Sequence, residues 1–483
     1  MADMLTYTLE PHTAVPLYEQ LIRRIKEDIS SGALRPGEKL PSKRNLAGNL
    51  GVSTITVETA YQQLTAEGYI TSAPRRGYFV SDIRSFLPAV NTCPSGDKRH
   101  KQENALSPSE EPPGIETAGP KYRMDFAGGE TSSENFPFTI WAKLSREVLS
   151  GEPSRLLSTS PGIGIPDLRE AISAHLMSFR GIHCDPANIV VGAGTEYLYG
   201  LLIQLLGFDR IYGVEDPGYR KISRVYRSYG VQCRYLPLDL LGKDAKILET
   251  TGTDVLHISP SHHFPTGRIM PIRDRNQLLQ WAAEGNRTII EDDYDSEFRM
   301  VGQPIPSLYE SDPYGRVIYM NTFTKTLAST VRISYMVLPD QLMQKLKEQL
   351  SFYSCTVSNF EQYTLARFLQ GGHFERHLNR MRNYYRSKRN RILQILADSS
   401  LASGMRIREE DAGLHFLMEL DLGMTDDEFR NACAEDGIRI NPLSQYYHDP
   451  ASAPQHIFVI NYSSLDEEML PEAAERMAKA LKR

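Results

Sequence analysis

Thr288-Ile289-Ile290-Glu291-Asp292-Asp293-Tyr294 is the stretch from which the rest of the chain is read. A short β-prone apolar run ending in acids suits a buried strand that delivers carboxylates at its C-terminal end, where α/β folds gather ligands. Asp292 lies 33 residues before a lysine that follows a second such run: Val317-Ile318-Tyr319-Met320 leads into Asn321-Thr322-Phe323-Thr324-Lys325-Thr326-Leu327. A lone lysine is ordinarily a solvated surface group, but this one follows a strand and sits among hydroxyls. Further apolar runs at 189–191, 211–214 and 255–258 alternate with helical stretches at 167–180 and 196–207. Alternating strands and helices imply an α/β fold with a mostly parallel sheet. A helix-rich stretch from 340 to about 400 follows. The last part, with strands expected at 414–420 and 457–462, reads as a smaller α+β subdomain.

The chemistry that these residue types suit is that of pyridoxal 5'-phosphate. Such a cofactor needs a lysine for a Schiff base, a carboxylate at the pyridine nitrogen, an aromatic face, and amides, hydroxyls and a cation for its phosphate. Val191-Gly192-Ala193-Gly194-Thr195-Glu196 ends a strand and opens a helix, so its amides can cradle a phosphate. Asp216-Pro217-Gly218-Tyr219 places an aromatic after another strand, and Pro260-Ser261-His262-His263-Phe264-Pro265-Thr266-Gly267 forms a polar loop after a third. A buried carboxylate at the end of the 288–290 run needs a cationic partner, which a pyridinium supplies; Tyr294 is placed to meet the ring oxygen. Arg332 follows Lys325 closely enough to neutralise phosphate charge.

The front of the chain reads differently. Leu17, Leu21, Ile25 and Ile29 recur at helical spacing, and Gly32 ends that helix. Ser42 suits the cap of a second helix reaching Leu50, and Ser53 the cap of a third running to about Glu67. Tyr69-Ile70-Thr71 and Tyr78-Phe79-Val80 flank Pro74-Arg75-Arg76-Gly77 as a hairpin. Helix, helix–turn–helix and hairpin make a winged helix. Ser53, Thr54 and Thr56 would present polar groups at the start of a DNA-reading helix. Arg44 would meet a phosphate, and Arg75 and Arg76 would sit at the wing tip. The plainer reading is a small helical module that binds protein.

Residues 11–81 therefore form one domain and 121–483 another. The Pro-, Gly- and Ser-rich stretch 82–120 reads as a flexible linker. A chain of 483 residues has room for both domains. The net charge of -6 argues against a polybasic protein, and the first 85 residues hold ten Lys/Arg against nine Asp/Glu. DNA binding must then rest on a few placed cations. The five cysteines (Cys93, Cys184, Cys233, Cys355, Cys433) include no C-x-x-C pair, so neither a metal site nor a disulfide framework is expected. With no membrane-length apolar run and no leader pattern, a cytoplasmic setting is expected.

Pro16-Leu17-Tyr18, the run from Gly32 through Pro36-Gly37 and Leu40-Pro41-Ser42 to Ala47, and Tyr61 to Tyr69 resemble the GntR-type winged helix almost throughout. That resemblance implies operator DNA read as paired half-sites. Residues 121–483 are similar to the fold-type I, class I aminotransferases: Thr322-Phe323-Thr324-Lys325 resembles their Schiff-base segment, and Glu291-Asp292-Asp293-Tyr294 their pyridine-nitrogen strand. By that resemblance Lys325 carries the aldimine, Asp292 pairs with the ring nitrogen, Tyr294 meets the ring oxygen and Tyr219 stacks on the ring. Thr195, Glu196, Thr322, Thr324 and Arg332 surround the phosphate. The order of the parts resembles the MocR/GabR subfamily, which implies a homodimer with each head resting on the partner's body.

Some positions depart from those patterns. His263 stands where the subfamily usually has Gln, and Phe264 where aminotransferases have a ring-contacting Asn. Ser158 or Ser160 replaces a tyrosine that often reaches the partner's phosphate. The run 457–462 lacks the arginine that usually grips a substrate carboxylate. Arg439 or Arg220 could take that part, and His263 could also face an effector. The expected function is a transcription regulator that senses an amine, an amino acid or pyridoxal phosphate itself through Lys325. The alternatives are an active aminotransferase with a DNA-binding attachment, and a cofactor-free scaffold.

Overall fold

The computed structural model describes residues 7–10, 15–73, 76–82, 122–129, 135–151, 153–243, 245–299, 305–408 and 413–481. The linker expected at 82–120 lies outside them but for Asp82, and Arg75 lies outside as well.

The head comprises α1 (Leu17–Ser31), α2 (Lys43–Leu50), α3 (Thr54–Ala66), β1 (Ile70–Ala73) and β2 (Gly77–Val80). Each boundary has a local cause. Gly32 closes α1 in the left-handed region at φ 87°. Ser42 accepts the Asn45 amide and Ser53 the Thr56 amide, satisfying donors that a helix start leaves open; such caps contribute about 1 kcal/mol each. Leu21, Ile25, Leu46, Val57, Tyr61, Leu64 and Ile70 fill the head's core. β1 and β2 pair antiparallel from Ile70 opposite Val80 to Ala73 opposite Gly77, which is the wing.

The body begins with β3 (Met124–Asp125), α4 (Phe138–Leu149), α5 (Pro153–Leu157) and α6 (Pro166–Arg180). Its large sheet is then laid down by β4 (Ile189–Gly192), α7 (Thr195–Leu206), β5 (Ile211–Asp216), α8 (Arg220–Ser228), β6 (Gln232–Pro237), α9 (Ala245–Thr250), β7 (Val255–Ile258), α10 (Ile272–Glu284), β8 (Thr288–Asp292), α11 (Leu308–Ser311), β9 (Val317–Thr322) and β10 (Ser334–Val337). The order across this seven-stranded sheet is β4-β10-β9-β8-β7-β5-β6. All pairings are parallel except those of β10, which runs antiparallel to both neighbours. β4, β7, β9 and β10 are buried along their whole length, as a sheet covered on both faces requires.

α12 (Asp340–Leu350), α13 (Asn359–Gln370) and α14 (His373–Ala397) lead to the smaller subdomain. This contains β11 (Met405–Arg408), β12 (His415–Leu420), α15 (Asp426–Glu435), β13 (Ile438–Arg439), β14 (Asn441–Pro442), β15 (Ile457–Asn461) and α16 (Leu470–Ala480). Its four-stranded sheet has the order β11-β12-β15-β14, and β13 pairs with β3.

The head rests on the body. The Ile272 amide, at the start of α10, donates to the Glu67 carbonyl at 2.8 Å. Ile272 packs against the head's core. Gly68, at φ +80°, lies so close that an added Cβ would stand 2.7 Å from the Ile272 nitrogen. A glycine is needed there both for the turn and for the approach.

Candidate functional site

Sheet register collects the expected cofactor residues at one edge. Ser334 of β10 stands opposite Gly192 on one side and Thr322 on the other. Asp292 of β8 stands opposite Met320 of β9. The glycine turn after β4, the lysine turn after β9, Arg332 and Asp292 therefore neighbour one another.

The two adjacent aspartates have different surroundings. Asp293 is saturated: Arg180 pairs with its Oδ2 at 2.8 Å, while Tyr319 and Ser296 donate to it at 2.7 and 2.9 Å. Asp292 receives the Tyr199 hydroxyl on Oδ2 at 2.7 Å, with His257 Nε2 at 3.3 Å. Its Oδ1 is buried and has no partner. Tyr226 lies 2.6 Å from His257 Nδ1. A proton donated there leaves the N–H on Nε2, facing the carboxylate. An uncompensated buried carboxylate oxygen is costly, and a pyridinium N–H is a group that would satisfy it.

Lys325 lies in the turn after β9, its Nζ 3.3 Å from the Gly129 carbonyl. Burial lowers its pKa below the ordinary lysine value, opposed by the Asp295 carboxylate. A larger neutral fraction makes a better nucleophile. A Cβ on Gly129 would stand 3.0 Å from Nζ and 3.0 Å from Asn461 Nδ2, so a larger residue there would press on the amine. Asp295 also holds His262 at 2.9 Å, and the Tyr294 hydroxyl lies 3.4 Å from the same His262 nitrogen. Burial raises the Tyr294 pKa well above the ordinary phenol value, which keeps it a hydrogen-bond donor.

At the turn before α7, Gly194 adopts φ +92°, and a Cβ there would run into the Arg332 guanidinium. Thr195 is the first residue of α7, so the helix's open amides face this turn. Glu196 holds Arg332 at 2.5 Å and also pairs with Lys221. Burial alone would raise the Glu196 pKa, but bonds from Lys221 and Arg332 pull it down to about 2. The hydroxyls of Thr322 and Thr324 lie 2.8 Å apart; Ser334 donates to the first, and the second reaches the Val331 carbonyl. They brace the lysine turn and lie beside the cradle.

Tyr219 is half exposed and meets Phe264 edge-on at 6.0 Å. Phe264 in turn touches Tyr446 and His415. His263 points into the body instead, 2.8 Å from Thr266 and 3.6 Å from the Glu215 carboxyl. Burial lowers the His263 pKa to about 3 and raises that of Glu215 to about 8. Arg220 starts α8, directly after Tyr219. Exposed Arg439 lies 3.4 Å from Asp125, whose other oxygen accepts the Ala127 and Gly128 amides of the segment leading to Gly129.

On the head, Arg44 and Arg76 are exposed, and the Arg76 guanidinium lies 5.8 Å from the Phe79 ring. The Ser53 and Thr56 hydroxyls are 2.8 Å apart and engaged with one another in the cap, while Thr54 stands exposed.

Tyr199, His257, Asp295, Lys221 and Gly129 were not anticipated as site residues. Tyr199 on α7 and His257 on β7 reach Asp292 only through tertiary packing and carry no local signal. Lys221, directly after Arg220, was legible as a cation close to Tyr219. The group of an unpartnered carboxylate oxygen, a partly buried lysine, a glycine turn at a helix start and flanking cations fits pyridoxal phosphate.

Residues 17–80 match the family described as bacterial regulatory proteins, gntR family. The chain is 37% identical over 471 residues to the uncharacterized HTH-type transcriptional regulator YdeL of Bacillus subtilis (strain 168), covering 97% of each chain. It is 31% identical over 480 residues to the probable rhizopine catabolism regulatory protein MocR of Rhizobium meliloti, covering 98% of this chain and 95% of that one. Among solved structures, an archaeal alanine:glyoxylate aminotransferase superposes with a TM-score of 0.67 at 25% identity, over 75% of this chain and 91% of that one. A kynurenine aminotransferase of Pyrococcus horikoshii gives 0.64 at 25% identity, over 74% and 90%.

Proposed function

The chain belongs to the MocR-type transcriptional regulators, with a GntR head and an aminotransferase-like body, and from that premise we propose that it adjusts operator binding in response to an amine, an amino acid or pyridoxal phosphate held at Lys325. The observation that carries this reading is that Lys325 follows β9 while the adjacent strand β8 ends on Asp292, whose Oδ1 is buried without a partner. When bound, pyridoxal phosphate supplies an aldehyde carbon for which primary amines compete. Asp292 holds the proton on the ring nitrogen, and Tyr199 and His257 hold Asp292. Tyr294 offers a donor to the ring oxygen. Glu196 keeps Arg332 and Lys221 beside the amides of α7, where a phosphate dianion is favoured. Tyr219 lies at the open side of the site. Arg439, which lies against Asp125, and Arg220 are the cations proposed to meet an effector carboxylate.

One continuous segment links the site to the head. His262 and Phe264 line the site, and the loop returns through Met270, whose amide donates to the Pro260 carbonyl at 2.9 Å. Arg275 of α10 grips the same carbonyl at 2.7 Å. The next residues, Pro271 and Ile272, are those on which the head sits. An effector that shifts Phe264 or His262 is thereby in mechanical contact with Gly68 of the winged helix. Such a shift changes the head's position only if the effector binds the two arrangements unequally. A homodimer that reads paired half-sites is part of this proposal. Two protomers exchanging heads would use the same two surfaces.

The test is a spectral titration of the full chain, first with pyridoxal phosphate and then with a panel of amines and amino acids. Appearance of the near-visible band of a lysine-bound cofactor, and its shift with one ligand class, supports the proposal. Absence of the band in the wild-type chain counts against it. Steady turnover with a keto-acid acceptor would favour an active aminotransferase.

A further inference from the structure

The helix expected to read DNA carries no cation. α3, Thr54–Ala66, has Glu58 as its one charged residue, and Lys43 of α2 binds that carboxylate at 2.6 Å. Two of the hydroxyls at its start are engaged: Ser53 and Thr56 are joined to each other in the cap. The groups left exposed at the front of α3 are Thr54 and Ile55.

Ile55 is 73% exposed, while Val57, Ala60 and Leu64 of the same helix are fully buried. Its side chain takes no part in the head's core. A single exposed apolar residue is ordinary on a surface. This one stands at the second residue of the helix whose N-terminal end meets base edges in this class of fold. The major groove offers one apolar feature to such a side chain, the C5-methyl of thymine.

We propose that Ile55 is a base-reading residue that packs on a thymine methyl, so that each half-site carries a thymine at a fixed position. Thr54 stands beside it and meets an adjacent base edge or phosphate. Arg44 and Arg76 supply phosphate attraction without choosing the base. The inference rests on the reading of the head as a DNA binder and adds the feature of the duplex that it selects.

The experiment uses the full chain and duplexes enriched from a random pool by the wild-type protein at fixed salt. Each thymine of the enriched sequence is replaced in turn by deoxyuridine, which removes only the methyl. The expected result is one position per half-site where this replacement weakens wild-type binding about fourfold, the value of one buried methyl. Ile55→Ala removes the contact in both half-sites of a dimer, so it should bind the thymine duplex roughly sixteenfold less well and show no further loss with deoxyuridine. Its salt dependence should match wild type, because phosphate contacts are unchanged. Ile55→Val should recover part of the discrimination. Ile55 lies outside the core, so circular dichroism and thermal melting should be unaltered. Wild-type binding indifferent to every methyl, or equal sensitivity to deoxyuridine in Ile55→Ala, overturns the inference while leaving DNA binding intact. Failure of the wild-type chain to enrich any duplex overturns the DNA-binding reading itself, and this inference with it.

Discussion

Tyr199 donates its hydroxyl to one oxygen of Asp292 at 2.7 Å, while the other oxygen of that carboxylate is buried without a partner. A carboxylate so arranged is positioned on one side and unsatisfied on the other. Asp292→Asn should weaken pyridoxal phosphate binding roughly tenfold to a hundredfold, the range for losing a hydrogen bond to a charged group. Tyr199→Phe should weaken it less, because His257 still holds the carboxylate. Fluorescence titration with the cofactor measures both. Normal affinity in Asp292→Asn would remove Asp292 from the site.

Asp293, its neighbour, should behave in the opposite way. Arg180 lies against it at 2.8 Å, and both side chains are buried. Asp293→Ala strands a buried guanidinium, a change that costs about 3–5 kcal/mol. Denaturant unfolding should show that loss, while the folded fraction retains its cofactor affinity. A variant as stable as wild type would contradict the assignment.

These two residues show what the sequence could convey. The strand 288–290 and the acids after it were legible from apolar run and position, and the winged helix from its caps and glycines. The large sheet emerged in outline, but Gln232–Pro237 and Ser334–Val337 were not anticipated as strands. Gln232–Pro237 lies at the sheet's edge, interrupts its apolar residues with Gln and Arg and stays half-exposed along much of its length. Ser334–Val337 owes its place to pairing on both sides. Which aspartate faces the site came from resemblance; local spacing cannot separate neighbours. The ties from Tyr199 and His257 are tertiary and had no local signature. The loop alone marks His263 as an effector candidate; that its ring lies against Glu215 is a tertiary contact.

The contact between head and body rests on the Ile272 amide and side chain. Proline is tolerated at the first residue of a helix, so Ile272→Pro removes the donor to Glu67 and the packing without breaking α10. DNA binding should persist in this variant, but its response to cofactor and amine should be lost. Anisotropy of a labelled operator measures both. A wild-type response would show that the signal does not pass through this contact.

Stability should fall between about pH 6.5 and 8. Burial lifts the Glu215 carboxyl to about 8, so the folded state keeps a proton that the unfolded chain releases near its ordinary value. Stability from this group is present at acid pH and lost as pH rises through 8. The His263 pKa, lowered to about 3, works in the other direction. Its contribution rises with pH only up to the ordinary histidine value near 6.5; above it Glu215 acts together with Glu291 and Glu297, whose carboxyls burial lifts to about 7. Denaturation midpoints at pH 6.5 and 8 should differ for wild type and differ less for Glu215→Gln, in which Glu291 and Glu297 still titrate. An unchanged slope in that variant would place the titration elsewhere.

The most direct test compares the operator affinity of wild type and Lys325→Ala, each with pyridoxal phosphate and each with and without the amine that shifts the wild-type spectrum. The account predicts that the amine changes wild-type affinity and leaves Lys325→Ala unaffected. An equal response in Lys325→Ala would contradict control of the head through this lysine.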